Sequence, residues 1–204
     1  FGHQTRRWNP KMEEYLYGQE NGVHIFDLTK VKPLIEEALD FITRSVKEGK
    51  TILLSCAAAE GIVNPVASYV FKTPQKDSDA VRRIFQVMKT KGITKIGVIT
   101  SNDGFGMAGG KQLANLANLA GITIAISEAY DKQETDLTGV LTKVKGQDVN
   151  AVVNWSIVPA QSMVAKNMKQ IGLNVPLFQS HGYGNIKYVQ AGGEAANGTI
   201  FPCG

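Results

Sequence analysis

The chain has little with which to carry out covalent or redox chemistry. Of its 204 residues two are cysteines, Cys56 and Cys203. They lack the spacing of a zinc site or a redox CxxC, so buried thiols that stay free are expected. The histidines, His3, His24 and His181, show no metal-ligand spacing. There is no GxSxG elbow, and nothing in the sequence places an acid to orient His181 against a serine, which argues against a nucleophilic hydrolase. No apolar run reaches the roughly 18 residues a membrane span needs, and no stretch reads as a secretory leader. An excess of one charge is also scarce. The formal net charge is +4; Lys and Arg match Asp and Glu over residues 1–54, and the surplus is spread thinly over 55–204. A nucleic-acid surface calls for a basic cluster, so this surplus reads as solvated surface. No cofactor, metal, membrane partner or enzymatic activity is expected.

What the chain has is glycine, 21 residues of it, and apolar patterning that alternates between strand and helix. Tyr15–Tyr17 and Val23–Phe26 flank Gly18-Gln19-Glu20-Asn21-Gly22, whose Asn-Gly pair predicts a hairpin. Asp27 or Thr29 should cap a helix bearing Val31, Leu34, Ile35, Ala38, Leu39, Ile42 and Val46 on one side, stopped by Gly49. Thr51–Leu54 follows as a strand. Farther on, Asp77 or Ser78 should cap a helix carrying Ala80, Val81, Ile84, Phe85 and Met88. Strands are expected at 95–100, 122–129, 151–155, 176–180 and 199–203, with helices at 110–120, 136–145, 159–171 and 186–191 between them. This alternation predicts an α/β class, with a doubly wound, mostly parallel sheet. Ligands of such sheets sit at the carboxyl ends of the strands, where the winding reverses. The loops after Thr100, Trp155 and Ser180 are therefore the places to look.

Gly104-x-Gly106-x-x-Gly109 follows a strand, with Glu128 about twenty residues on, which is formally the dinucleotide fingerprint. Yet Ser101, Asn102 and Asp103 intervene, and Phe105 sits where the backbone should be bare. Glycines shaping a helix entry are the better reading. Trp155 and Ser156, with His181 after the later strand, could hold a small polar or aromatic ligand, the body stacked and the head hydrogen-bonded. His181 reads equally well as a turn residue satisfied by backbone. At the other end, Arg6, Arg7 and Lys11 flank Trp8, a compact basic–aromatic group. It suits phosphate contact and base stacking, or simply a solvated arm.

These residues carry two resemblances. FGHQTRRWNPKMEEYLYGQENGVHIFDLTKV, continuing to TILL, closely resembles the N-terminal part of the second protein of the bacterial small ribosomal subunit, over residues 1–54. That resemblance implies a strand–helix–strand piece of a flavodoxin-like sheet and assigns Arg6, Arg7, Trp8 and Lys11 to ribosomal RNA. The Gly-Thr-Lys-Lys loop and the coiled-coil insertion of that family are missing.

Residues 55–204 resemble the second lobe of type I periplasmic binding proteins of the branched-chain amino-acid transporter class. The residues that carry this are SCAAAEG, YVFKTPQKDSDAVRRIF, KIGVITSNDGFGMAGG, QSHGYGN and ANGTIFPCG, in that order. The resemblance places Ser55, Ala57 and Ala59 at the ligand, the two alanines facing its ammonium and carboxylate. Phe105, Trp155, Ser156 and His181 would line the opposing wall. Ala59 lacks the hydroxyl often found there, and His181 stands where amino-acid binders tend to place an acid. An aromatic or other carboxylate is then as plausible a ligand as a branched amino acid. The expectation is a chimera joined near Ser55, engineered, forming one hybrid α/β domain over 1–204 with no intact native activity. Both parental patterns break off within motifs, at Phe1 and Gly204. Vestigial binding of an amino acid or small carboxylate, or of rRNA by the N-terminal arm, is the alternative. The parents belong to the cytoplasmic ribosome and the bacterial periplasm, and a recombinant copy is expected in the cytoplasm.

Overall fold

The computed structural model describes residues 2–3, 9–54, 58–66 and 68–203. The chain divides into two compact units, Phe1–Leu54 with Val66–Phe71, and Ser55–Pro65 with Lys72–Gly204.

In the first unit, β1 (Gly2–His3), β2 (Leu16–Glu20) and β3 (Val23–Phe26) form an antiparallel sheet in the order β1-β3-β2. Asn21 and Gly22 close the β2–β3 hairpin with φ of 50° and 78°. Positive φ at both turn positions is what the twist of a two-residue hairpin demands, and Asn-Gly tolerates it. A register shift between Leu16 and Gly18 bulges the strand. A 3-10 turn over Pro10–Tyr15 precedes the hairpin, started by Asn9, whose side chain accepts from Lys11 N–H at 3.0 Å. Asp27 caps α1 (Leu28–Lys47), its Oδ1 accepting from Thr29 N–H at 3.0 Å. The apolar stripe of α1 forms as its periodicity requires, but Leu34, Ile35, Leu39 and Ile42 stay exposed, and Ser45 is the buried residue of this helix. β4 (Ile52–Leu54) pairs with β5 (Val70–Lys72) in a two-stranded sheet.

The second unit holds both hydrophobic cores found among the described residues. β6 (Lys95–Ser101), β7 (Thr123–Tyr130), β8 (Ala151–Trp155) and β9 (Leu177–Gln179) form a parallel sheet in the order β7-β6-β8-β9. Period-two alternation sends Ile96, Val98, Val153, Trp155 and Phe178 to one face, against α2 (Asp77–Thr90) and α3 (Gly104–Ala117). Ile99, Val152 and Leu177 go to the other face, against α4 (Thr138–Lys145) and α5 (Gln161–Gln170). A short α6 (Ile186–Gly192) follows β9. The last expected strand reduces to one bridge, Ile200 to Phe178.

Two helix starts differ from the sequence-based expectation. α3 begins at Gly104, not near 110, because Asp103 caps it by accepting from Gly106 N–H at 2.8 Å. α2 has Lys76 at its cap without a side-chain bond, and Asp77 is its first helical residue.

The glycines of α3 have a packing explanation. A Cβ at Gly106 would lie 2.0 Å from the Ser101 carbonyl oxygen, and one at Gly109 would lie 2.0 Å from Trp155 Nε1. The helix therefore rests with its backbone directly on the end of β6 and on the indole. At Gly104 a Cβ meets nothing within 4 Å. Gly109→Ala should accordingly cost about 1–3 kcal/mol of stability by overpacking. Gly104→Ala should fall within about 0.5 kcal/mol of the parent. Urea denaturation of the two variants side by side checks this, and equal midpoints would contradict the packing account.

Candidate functional site

The strand order puts a reversal of winding at β6. The chain moves from β6 through α3 to β7 on one side, then through α4 back across to β8 on the other. The connections that leave β6 (α3) and β8 (α5) thus run to opposite faces, and open parallel sheets bind ligands beyond the carboxyl ends of such strands. Three aromatic side chains converge there. Phe105 is the second residue of α3, Trp155 the last of β8, and His181 opens a 3-10 turn (His181–Tyr183) after β9. Phe105 stacks on Trp155 with ring centroids 6.2 Å apart. His181 meets Phe105 at 5.2 Å and Trp155 at 5.6 Å, edge-on to both.

The backbone under these rings is pinned by side-chain hydrogen bonds. Ser180 Oγ donates to the Ser156 carbonyl at 2.8 Å and accepts from Gly182 N–H at 3.2 Å, which ties the β9 turn to the β8 turn. Ser156 Oγ accepts from Val158 N–H at 3.1 Å. Deeper in the sheet, Tyr130 Oη donates to Asn154 Oδ1 at 2.9 Å, Asn154 Nδ2 to Gln179 Oε1 at 2.6 Å, and Gln179 Nε2 to the Gln161 carbonyl at 3.1 Å. This buried amide chain links β7, β8, β9 and α5. Burial pushes the Tyr130 hydroxyl up to about 12, so it stays a proton donor to Asn154.

The sequence-predicted wall residues divide by exposure. Phe105 is half-buried and the His181 side chain is 13% exposed, so both reach the surface of the crevice. Trp155 and Ser156 are fully buried, the indole in the core and the serine hydroxyl in its own turn. Ala59 is half-buried on the segment before β5. Lys11 is exposed in the first unit. Ser55, Ala57, Arg6, Arg7 and Trp8 lie outside the described residues, as does Cys56. Among the described residues no group of His, Cys, Asp and Glu is placed to hold a metal ion, and no helix is long and apolar enough to cross a membrane.

Sequence reasoning missed Asp77. It read this residue only as a helix cap, yet the carboxylate is wholly buried and neither oxygen has a hydrogen-bond partner among the described residues. His181 Nε2 lies 3.9 Å from Asp77 Oδ1. Nearby, Lys72 Nζ donates to the carbonyls of Ala58 at 2.8 Å and Gln75 at 3.2 Å. Glu60 accepts from Ser78 Oγ at 2.7 Å and lies 3.8 Å from Lys76 Nζ. Burial pushes the Asp77 carboxyl up to about 6; Lys72 opposes the rise and Glu60 adds to it. Burial, then the Lys72 charge, holds the His181 imidazole below its ordinary value. Burial lowers Lys72 as well. A run of charged residues at a helix start was legible; that one of them would be enclosed beside the histidine was not.

The comparisons with known proteins agree with this geometry. A family described as periplasmic binding protein matches residues 36–203, and the ribosomal protein S2 family matches residues 1–69. The chain belongs to the periplasmic binding protein family. Its front is ribosomal in likeness, so the whole is a chimera. The small ribosomal subunit protein uS2 of Zymomonas mobilis is 55% identical over 53 residues, which is 26% of this chain and 21% of that protein. The uS2 protein of Dictyoglomus thermophilum is likewise 55% identical over 53 residues, 22% of its length. In structure the chain resembles an extracellular ligand-binding receptor from Rhodopseudomonas palustris HaA2, with a TM-score of 0.71 and 22% identity over 94% of this chain and 61% of the receptor. It also resembles a branched-chain amino-acid ABC transporter protein of Thermus thermophilus with bound valine, at a TM-score of 0.70 and 18% identity, over 79% of this chain and 42% of that one. The chain thus spans about a fifth of the uS2 relatives and about three-fifths of the receptor.

The raised carboxyl makes a stability prediction. Protonated Asp77 favours the folded state, because the folded carboxyl binds its proton more tightly than the unfolded one. That contribution is complete below the unfolded value of 3.8 and is lost as pH rises through about 6. Asp77→Asn should remove this loss, raising stability at pH 7.5 relative to pH 4.5 by about 2 kcal/mol compared with the parent. Urea unfolding at the two pH values reads it, and identical pH profiles for parent and variant would refute the burial argument.

Proposed function

We propose that this chimera retains weak binding of a small organic solute at the Phe105–Trp155–His181 cluster, and that it lacks the complete activity of either parent. The observation that carries this reading is the convergence of these rings at the reversal of winding. Family membership supports it. Phe105 supplies the apolar contact, Trp155 backs it from the core, and His181 supplies the polar group. Ala59 borders the site, with Ser55, Ala57 and Ser156 assigned to it by resemblance. An amino acid or a small aromatic carboxylate fits this chemistry, and the role is binding, not catalysis. A complete solute pocket buries most of its ligand's surface, and of the three rings only Phe105 and His181 reach the surface, so affinity is low. We take the joining of the parental segments 1–54 and 55–204 to be the result of engineering.

A second role is carried by the uS2-like front, whose 55% identity supports assigning Arg6, Arg7, Trp8 and Lys11 to RNA. Its contacts are phosphate contacts, so any affinity falls steeply with salt.

Calorimetric titration with leucine, phenylalanine and benzoate tests the solute reading. At least one should give saturable heats with a Kd of about 1 mM, and Phe105→Ala should weaken it roughly tenfold. Heats equal to dilution for all three would end the proposal.

A further inference from the structure

The buried carboxylate beside His181 gives the proposed binding role a head-group preference, an inference that rests on that role. Asp77 is enclosed, accepts no hydrogen bond, and sits 3.9 Å from the one histidine of the site. His181 is held by rings on two sides, and its Nδ1 is buried without a partner. The charged groups around the pair are accounted for. Glu60 is engaged by Ser78 and Lys76, Asp79 by Arg82, Asp103 by Gly106 N–H, and Lys72 by two carbonyl oxygens. Among the described residues the pair therefore has no hydrogen-bonded counter-group of its own.

The local field favours an anion. Asp77 is the first residue of α2 and Phe105 the second of α3, and His181 touches both. The first turns of two helices thus meet at the imidazole; the Asp103 carboxylate caps that of α3 by accepting from Gly106 N–H, so the positive field comes from the first turn of α2 and from Lys72. Asp77 opposes that charge while it is ionised. We infer that the head group this site receives is a carboxylate, and that receiving it draws one proton from solvent onto the Asp77–His181 pair.

The balance is simple. Before binding, near neutral pH, the pair holds an ionised carboxylate and a neutral imidazole, so an incoming carboxylate meets net negative charge. One proton taken from water makes the pair neutral overall, an imidazolium beside a carboxylate or an acid beside an imidazole. The ligand's charge then faces the first turn of α2 and Lys72 without the Asp77 charge against it. A zwitterionic amino acid brings its own cation and gains little from that proton. Carboxylate binding should strengthen as pH falls toward 6, with a limiting slope of one proton, and amino-acid binding should not.

The test is the affinity for benzoate and for leucine between pH 7.5 and 5.5, by ligand-observed NMR on the full chain. Benzoate stays ionised throughout this window. Its affinity is expected to rise about tenfold across the window and then level off, while leucine changes less than about twofold. The His181 Cε1–H resonance, assigned by its absence in His181→Gln, should titrate at higher pH with benzoate than without. Both Asp77→Asn and His181→Gln should flatten the benzoate profile, with circular dichroism confirming that each is folded. Benzoate binding with a flat profile in the parent, or leucine following the same slope, overturns this inference and leaves the binding role standing. No binding of any probe at any pH overturns both.

Discussion

The reversal of winding about β6 is the constraint on which the second unit depends. A parallel strand pair needs a helical crossover, and right-handed crossovers placed on opposite sides of one strand force their helices onto opposite faces of the sheet. That separates the two cores, with α2 and α3 on one side and α4 and α5 on the other. It also sends the connections that leave β6 and β8 to opposite faces, α3 to one and α5 to the other. Residues distant in sequence, Phe105, Trp155 and His181, become neighbours for this reason alone. Close helix–sheet contact sharpens the arrangement. α3 can lie on the indole only because Gly109 has no side chain there, and Gly106 gives the same closeness to Ser101.

Electrostatics sets what such a site can hold. An enclosed carboxylate without donors is unusual, since buried polar groups in folded proteins are nearly always paired. Asp77 begins α2, where the helix dipole favours negative charge, yet burial still raises its carboxyl to about 6. The neighbouring cations and anions are largely occupied with one another, as Glu60 with Lys76 and Lys72 with backbone oxygens. The charge of the Asp77–His181 pair is therefore set chiefly by burial.

The first unit is shaped by local rules. Its hairpin turn, its Asp27 cap and its helix each need only nearby residues. This unit carries the uS2-like piece, 55% identical over 53 residues to the Zymomonas mobilis protein. The apolar side of α1 is different. Its stripe was written for a neighbour, and helical periodicity alone does not supply one.

The α/β class, nearly every element and both relationships could be read from the sequence, because alternating strand and helix periods and ordered motifs are local properties. Aromatic residues at strand ends were also legible as site candidates. Tertiary structure decided which of them are reachable: it sank Trp155 and Ser156 and left Phe105 and His181 at the surface. It turned a formal dinucleotide motif into a packing surface, and it enclosed Asp77 beside His181, far apart though they lie along the chain. Burial and pairing are properties of what surrounds a residue, and those surroundings come from strand order and helix seating, which no window of sequence contains.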